Sequence, residues 1–577
     1  MNGQTTDGTS SHSRRVLLCA LILTSLTGNS FGADLTPLNI PICTAPGDQG
    51  DQIVIVSDGA GGAIVVWSDF RNGTDYDIYA QRITGQGVLL WLIDGVPVCT
   101  APGNQQFPAV VPDGTGGALI AWVDLRHSSD ADIYAQRISS AGEALWNADG
   151  IRANGAPNNQ YVPDLASDGA GGAIVAWSDN RNGTDYDIYA QRIGPDGGQQ
   201  WHPPGVPVCT AAGDQNKYGM LVVPDGIGGA VIAWRDRRAG GIYDDVFIQR
   251  LSSSGQPLWT QDGVGLTNGD VSNGTAIVSD GSGGAFVTWA KRTGIGGTND
   301  DVIAQHVDGT GTPQWKPALV VCDTLEQQDW PAIIRDQGGH VIICWRDSRS
   351  GGNIQADIFA QRISDSGLIE WTANGVPVCT APNAQSDPTM VSDASGGAIV
   401  AWMDERVAAD IYGQRVDQRG DMRWEADGVA VSRHMEIQKY PKIVAADSGG
   451  AIVVWQDARN GYSNWDVYAQ VLPSASSPAA VAGVGVGDVR LHPPAPNPAT
   501  KAVRIIFSTG RSRSARLLVY DISGRVVRHL EGGLGTGDGS ILLDLRDDRG
   551  QPLRVGLYIL VLEAEGVHRS QRLAVVR

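Results

Sequence analysis

Asp58-Gly59-Ala60-Gly61-Gly62-Ala63-Ile64-Val65-Val66-Trp67 is a tight turn feeding an apolar run that ends in tryptophan, and the chain repeats it throughout most of its length. The tryptophans closing the copies are Trp67, Trp122, Trp177, Trp234, Trp289, Trp345, Trp402 and Trp455, at intervals of 55, 55, 57, 55, 56, 57 and 53 residues. So constant a period means one supersecondary unit copied eight times, and the fold follows from how that unit packs on itself.

Outward from the turn, the first copy reads 52–57, the turn, Ala63 to Trp67, a polar loop, Asp77 to Ile83, a second glycine turn and Val88 to Cys99. Short β-branched runs broken by Asp-Gly and Gly-Gly predict four strands joined by hairpins, because such turns need positive φ, which glycine adopts without strain. No part of the unit carries a sustained 3.6-residue apolar stripe. Four antiparallel strands in a unit of roughly 40 to 50 residues predict a propeller blade. The last copy stops at Leu472 without the Gly-Val-Pro-Val-Cys-Thr-Ala-Pro segment found at 95–102 and 375–382. A matching segment, Asn39-Ile-Pro-Ile-Cys-Thr-Ala-Pro46, stands ahead of the first copy. The sequence therefore predicts an all-β, eight-bladed β-propeller over 34–472, closed by pairing the N-terminal strand around 40–44 with Asp466 to Leu472. Closure of this kind leaves no long strand edge open.

Composition bounds the function. The chain has 577 residues, 75 of them glycine, and a formal net charge of −19. A phosphate-binding face needs clustered Lys and Arg, so nucleic acid is not the expected partner. Arg14 and Arg15, the apolar run Val16 to Leu26, and Ser30 with Gly32 before a cleavage point read as a secretory signal peptide over 1–32. Cys19 lies at the start of that run, where a lipobox cysteine would follow it, and no other stretch approaches the roughly 20 apolar residues of a membrane span. Cys43, Cys99, Cys209, Cys322 and Cys379 occupy one column of five copies. Equivalent positions in neighbouring blades lie beyond the roughly 7 Å bridging limit, so these read as small buried side chains. Without CxxC or Cys–His spacing, neither zinc nor c-type haem is expected.

After Leu472 a Pro-, Ser- and Ala-rich stretch over 473–488 reads as a linker, and alternating short apolar runs over 489–577 predict a small β-sandwich. Pro496-Asn497-Pro498, Val519-Tyr520-Asp521-Ile522-Ser523-Gly524-Arg525, Gly556-Leu557-Tyr558 and the basic closing strand to Arg577 carry a resemblance. This segment resembles the FlgD-like immunoglobulin domain and the C-terminal sorting domains of bacterial type IX secretion. Where many members carry Trp-Asp-Gly-Arg-Asp, this chain has Leu543-Asp544-Leu545-Arg546-Asp547. The resemblance implies an Ig-like fold, engagement of secretion machinery, and delivery to the cell surface or the medium.

Between the second and third strands recur Asp69 with Arg71, Asp124 with Arg126, Asp179 with Arg181, Asp347 with Arg349, Asp404 with Arg406 and Asp457 with Arg459, and blade four adds Asp236 with Arg238. A second aspartate opens the third strand in every copy, from Asp77 to Asp466. A constellation present in nearly every blade must suit every blade's geometry, so its expected role is structural, the arginine fork bridging both carboxylates. Asp69, Asn72, Asp75 and Asp77 also supply oxygens for a calcium ion, an alternative opposed by Arg71 in their midst. Paired carboxylates serve glycoside hydrolysis, but near-equal pairs in successive blades single out none. No nucleophile elbow, phosphate loop, metal set or cofactor motif accompanies them.

Blade five breaks the pattern with Ala290-Lys291-Arg292, an extended loop from Thr293 to Asn299, and His306 where most copies have arginine. Beside it stand Arg237 and Arg238, making a basic sector on an acidic ring. Arg237, Arg238, Lys291, Arg292 and His306 are the candidate binding residues, on a face of variable loops. The expected function is a secreted or surface-displayed, monomeric, non-enzymatic binding propeller for an extracellular protein or polysaccharide. The alternative is a carbohydrate-active enzyme, a glycoside hydrolase or polysaccharide lyase, on the same scaffold.

Overall fold

The computed structural model describes residues 39–474 and 489–576, except 51, 128–129, 216–218, 241–242, 294–298, 492–493, 495–497, 510–515, 522–524, 532–537 and 565–566. The expected signal peptide, the linker from 475 on, most of the Pro-Asn-Pro motif and the blade-five loop 294–298 lie outside the described residues.

Eight four-stranded antiparallel sheets follow one another along the chain. The first comprises Val54–Ser57, Ala63–Asp69, Asp77–Ile83 and Val96–Cys99. The eighth comprises Gln438–Ala445, Ala451–Asp457 and Asp466–Leu472, and its outer strand is Ile40–Cys43, with Ile40 opposite Ala469 and Pro41 opposite Tyr468. The split copy is thus reunited across the whole ring. Inner strands of successive blades touch all the way round, and Ile53, Ala63 and Trp67 share a core with Ile452, Val454 and Ala469. Each blade's second strand is buried on both faces, which is why Ala63–Asp69 reads as a continuous apolar run rather than an alternation.

A second tryptophan column joins the blades. The Nε1 groups of Trp91, Trp146, Trp201, Trp259, Trp315 and Trp371 donate to carbonyls in the next blade's third-to-fourth-strand turn, at 3.0 to 3.2 Å. Each indole lies on a glycine of that turn. A Cβ on Gly255, at φ +80°, would come within 2.8 Å of Trp201, so no other residue fits. Between blades eight and one, Ile40 of the N-terminal strand takes the indole's place against Gly87.

In the C-terminal segment, Val489–Leu491, Val503–Thr509 and Asp538–Leu543 form one sheet. Arg516–Asp521, Val526–Glu531, Gly556–Ala564 and Val567–Val575 form another. Ile505 and Phe507 of the first sheet and Leu517, Val519, Leu560 and Leu562 of the second share one core, which makes the segment a two-sheet sandwich. Leu543 and Leu545, at the departure from the FlgD-like pattern, are buried in that core.

Candidate ligand-binding channel

The repeated Asp–Arg pair is one part of a larger staple at one end of each blade. In blade one, Asp69 is fully buried, accepts Trp67 Nε1 at 2.7 Å, and takes both prongs of Arg71, Nε at 2.8 Å and Nη2 at 2.6 Å. Arg71 Nη2 also donates to Asp94 O at 2.7 Å, and the guanidinium lies 3.7 Å from the Tyr79 ring centroid. The same Trp–Asp–Arg geometry recurs at Trp122/Asp124/Arg126, Trp177/Asp179/Arg181, Trp234/Asp236/Arg238, Trp345/Asp347/Arg349, Trp402/Asp404/Arg406 and Trp455/Asp457/Arg459. The fork does not bridge to the second aspartate as expected, because one carboxylate occupies both prongs and Nη2 turns its other hydrogen to a carbonyl. Asp77 accepts instead from Asn72 Nδ2 at 3.0 Å. Burial, then the charges of Asp75 and Asp69, raise Asp77 to about 6, and burial with Asp185 and Asp179 does the same for Asp187. In five blades the staple arginine or aspartate also touches the buried cysteine column, as Arg238 Nη2 does Cys209 Sγ at 3.1 Å. Burial pushes Cys99 and Cys209 up to about 12.

Blade five has no staple. Lys291 stands opposite Asp301 where the other blades place the aspartate, and Trp289 Nε1 is buried without a hydrogen-bond partner among the described residues.

The structure separates the candidate binding residues. Arg238 is blade four's staple arginine, held 2.6 Å from Asp236 and 3.8 Å from the Phe247 ring. Lys291 pairs with Asp270 at 3.1 Å. Arg237 pairs with Asp244 at 2.5 Å, Arg292 with Asp300 at 2.7 Å, and Arg292 also faces the Tyr243 ring at 5.5 Å. His306 lies at the other end of its strand, opposite Phe286, and holds Asp280 of the Asp-Gly turn at 3.2 Å, as Arg82 holds Asp58 in blade one. Each of these five residues therefore has a carboxylate partner. Of the five, only Arg237 reaches the wall of the central channel.

The channel wall is built from a motif whose role no single repeat displays. In five blades the inner strand opens with Gln-x-x-Pro: Gln105 to Pro108, Gln160 to Pro163, Gln328 to Pro331, Gln385 to Pro388 and Gln438 to Pro441. The glutamine is buried, and its amide nitrogen donates to the preceding loop. The next residues form a bulge, two on the inner strand opposing one on its neighbour. The bulge places Phe107, Val162, Trp330, Asp387 and Tyr440 at φ of 56°, 50°, 52°, 52° and 54°. Left-handed backbone is costly for bulky side chains, about 1–3 kcal/mol each, and persists where the surroundings impose it. Phe107, Trp330 and Tyr440 are 43%, 50% and 49% exposed, open to the channel although they are large aromatics.

By strand register the equivalent positions in blades four and five are Gly219 and Gly274, at φ 108° and 65°. Two adjacent blades thus present no side chain, and a cavity of about 870 Å³ opens on that side. Its wall includes Arg235, Arg237 and Tyr243 of blade four, then Trp330, Asp387, Tyr440 and Lys442. Asp244 holds Arg235 at 2.6 Å and Arg237 at 2.5 Å. Lys442 is exposed on the cavity wall, and the desolvation imposed by the surrounding protein lowers its pKa while Asp387 counters. In the register column that holds Lys442, most blades have Ala, Val, Leu or Thr. Asp164 is the other charged member, raised by burial to about 7, and it accepts Val222 N at 2.8 Å and Leu165 N at 2.9 Å.

Fold and channel together define an eight-bladed β-propeller with a one-sided central pocket. No family model matches the chain, and no curated protein does. Among solved structures it is similar to a protein of unknown function from Dyadobacter fermentans, 11% identical over 75% of this chain and 97% of that one, with a TM-score of 0.35. It is also similar to an α-L-arabinanase from Penicillium chrysogenum complexed with arabinobiose, 11% identical over 64% and 93%, TM-score 0.33. A third similar structure is PorZ, a surface component of the type IX secretion system of Porphyromonas gingivalis, 11% identical over 92% and 82%, TM-score 0.28. At such identities the likeness concerns fold alone.

Proposed function

We propose that this chain is an exported propeller that binds an extracellular polysaccharide or protein in its central channel without transforming it. The observation that carries the reading is the pocket wall, where aromatic side chains and cations surround a cavity to which Asp387 alone contributes a carboxylate among the described lining residues. Glycoside hydrolysis needs two carboxyl groups about 5–10 Å apart across the substrate. A binding pocket needs a concave, largely preformed surface with a few placed polar groups, and 870 Å³ falls within the roughly 300–1,000 Å³ of such sites. The Asp–Arg staples serve as scaffold in this reading, and no metal or cofactor is invoked.

Export rests on the signal peptide read in 1–32 and on the FlgD-like resemblance of 489–577, through which secretion machinery would engage a monomeric chain. One observation favours the alternative of a polysaccharide lyase: Lys442, its pKa lowered by desolvation, lines the cavity with Tyr440 and offers a charge-neutralising group beside a phenol. The test is a glycan array read alongside product analysis on the purified mature chain. Retained ligand without cleavage is the expected result, and sustained release of shortened or unsaturated sugars would replace the reading with an enzymatic one.

A further inference from the structure

We infer that the channel pocket selects a sugar chain bearing an anionic group, its ring seated on Trp330 and Tyr440 and its anion directed to Lys442 and Arg237. This deepens the proposed function and rests on it. Three features carry it. The first is the recess at Gly219 and Gly274, which exists because two neighbouring blades drop the side chain that the others raise into the channel. The second is the pair of aromatic platforms facing it, about half exposed on strained backbone. An indole or phenol on a rigid strand offers a broad apolar face at little conformational cost, and the CH face of a sugar ring matches it.

The third is charge. The chain carries −19 overall, yet the pocket sets three cations, Arg235, Arg237 and Lys442, against two carboxylates, Asp387 and Asp244. Asp244 fixes both arginines from behind. Among the described residues no hydrogen bond or ion pair ties down Lys442, whereas Asp164, its charged counterpart across the column, is held by two backbone amides. An ammonium that lines the cavity with no partner of its own is available to an incoming anion through charge-assisted hydrogen bonds. A uronate or a sulfated sugar satisfies stacking and charge in one rigid ring, so little ordering entropy opposes both contacts forming together.

The test uses variants that the ring itself shows to be tolerated. Trp330→Gly and Tyr440→Gly install the residue that blades four and five already carry at this position, and Lys442→Gln removes the charge. Calorimetric titration of the mature chain would use tetragalacturonate for the carboxylate, a κ-carrageenan tetrasaccharide for the sulfate, cellotetraose as the neutral sugar and tetraglutamate as the acidic peptide. Melting temperatures serve as the folding control. The expected result is binding of at least one anionic sugar, weakened at least tenfold by Trp330→Gly and by Lys442→Gln, with cellotetraose at least tenfold weaker. Which of the two binds identifies the anion. Equal affinity for cellotetraose, an unaffected Lys442→Gln, or no binding of either anionic sugar overturns the inference. Tetraglutamate binding that falls in the same variants overturns the sugar assignment and leaves the channel reading intact. Sugar binding indifferent to all three substitutions removes both.

Discussion

Arg181 shows what the staple does at the scale of a single residue. Asp179 is fully buried and is held by Trp177 Nε1, by the Arg181 amide and by both guanidinium prongs. Arg181→Ala leaves that carboxylate buried without its counter-charge, an arrangement that costs about 3–5 kcal/mol. Chemical denaturation is expected to show a loss near the lower end, with ligand affinity unchanged, and unchanged stability with abolished binding would reverse the assignment. The aspartate opening the third strand behaves oppositely. Asp77 and Asp187 are raised to about 6 and Asp466 to about 7, chiefly by burial, against about 3.9 in an unfolded chain. Between pH 4 and 7 the folded state keeps protons that the unfolded state has lost, so stability falls as pH rises through this window. Thermal melting is expected to be higher at pH 5 than at pH 8, and Asp466→Asn should narrow that gap; a gap unchanged in the variant would show that Asp466 carries no part of it. These residues were legible as a repeated motif, but not their connectivity. Spacing placed two aspartates beside each arginine, and only the geometry of the hairpin end decides that one of them takes the whole fork.

At the scale of strands and turns, the indole-on-glycine joint links one blade to the next. Trp201 is 6% exposed, stacks on Gly255 and donates to Ser253 O at 3.0 Å. Gln191 Oε1 in turn accepts the Trp201 backbone amide at 2.9 Å. Trp201→Ala removes a buried aromatic and its hydrogen bond, a change of about 3–5 kcal/mol. Hydrogen exchange is expected to rise first in the strands of blades three and four, while uniform acceleration across all blades would mean that the ring melts as one unit. Sequence spacing made the first tryptophan column plain because it ends the apolar run. The second column sits after a polar turn and makes its contacts with a different copy, so nothing within one repeat reveals its partner. The inner-strand bulge was hidden for a related reason. Gln-x-x-Pro is visible in five copies, yet its meaning appears only where the blades converge and the bulged residues meet around one axis.

For the whole molecule, closure depends on a strand contributed from the far end of the chain. Ile40–Cys43 pairs with Asp466–Leu472, and Asn39 Oδ1 accepts Arg459 Nη2 at 2.9 Å across a separation of 420 residues. Deleting residues 39–46 exposes the edge at Asp466–Leu472 and uncovers Gly87, so a marked fall in melting temperature and a tendency to associate through that edge are expected by calorimetry and light scattering. A truncated chain that melts like the intact one would show that the sheets close without it. This much of the architecture could be read in advance, because a copy divided between two termini has one economical explanation. The one-sided pocket could not, since it arises from what two copies lack. The joints between blades carry a further implication for how such a chain came to be. Copies two to six each bear a plug, the indole, and a socket, the glycine turn that receives the preceding copy's plug. A duplicated copy therefore arrives with both halves of the fitting, mates with whatever precedes and follows it, and leaves no orphaned surface. Growth by whole units needs no compensating substitution at the seams, which frees the channel-facing positions to diverge copy by copy while the ring around them stays uniform.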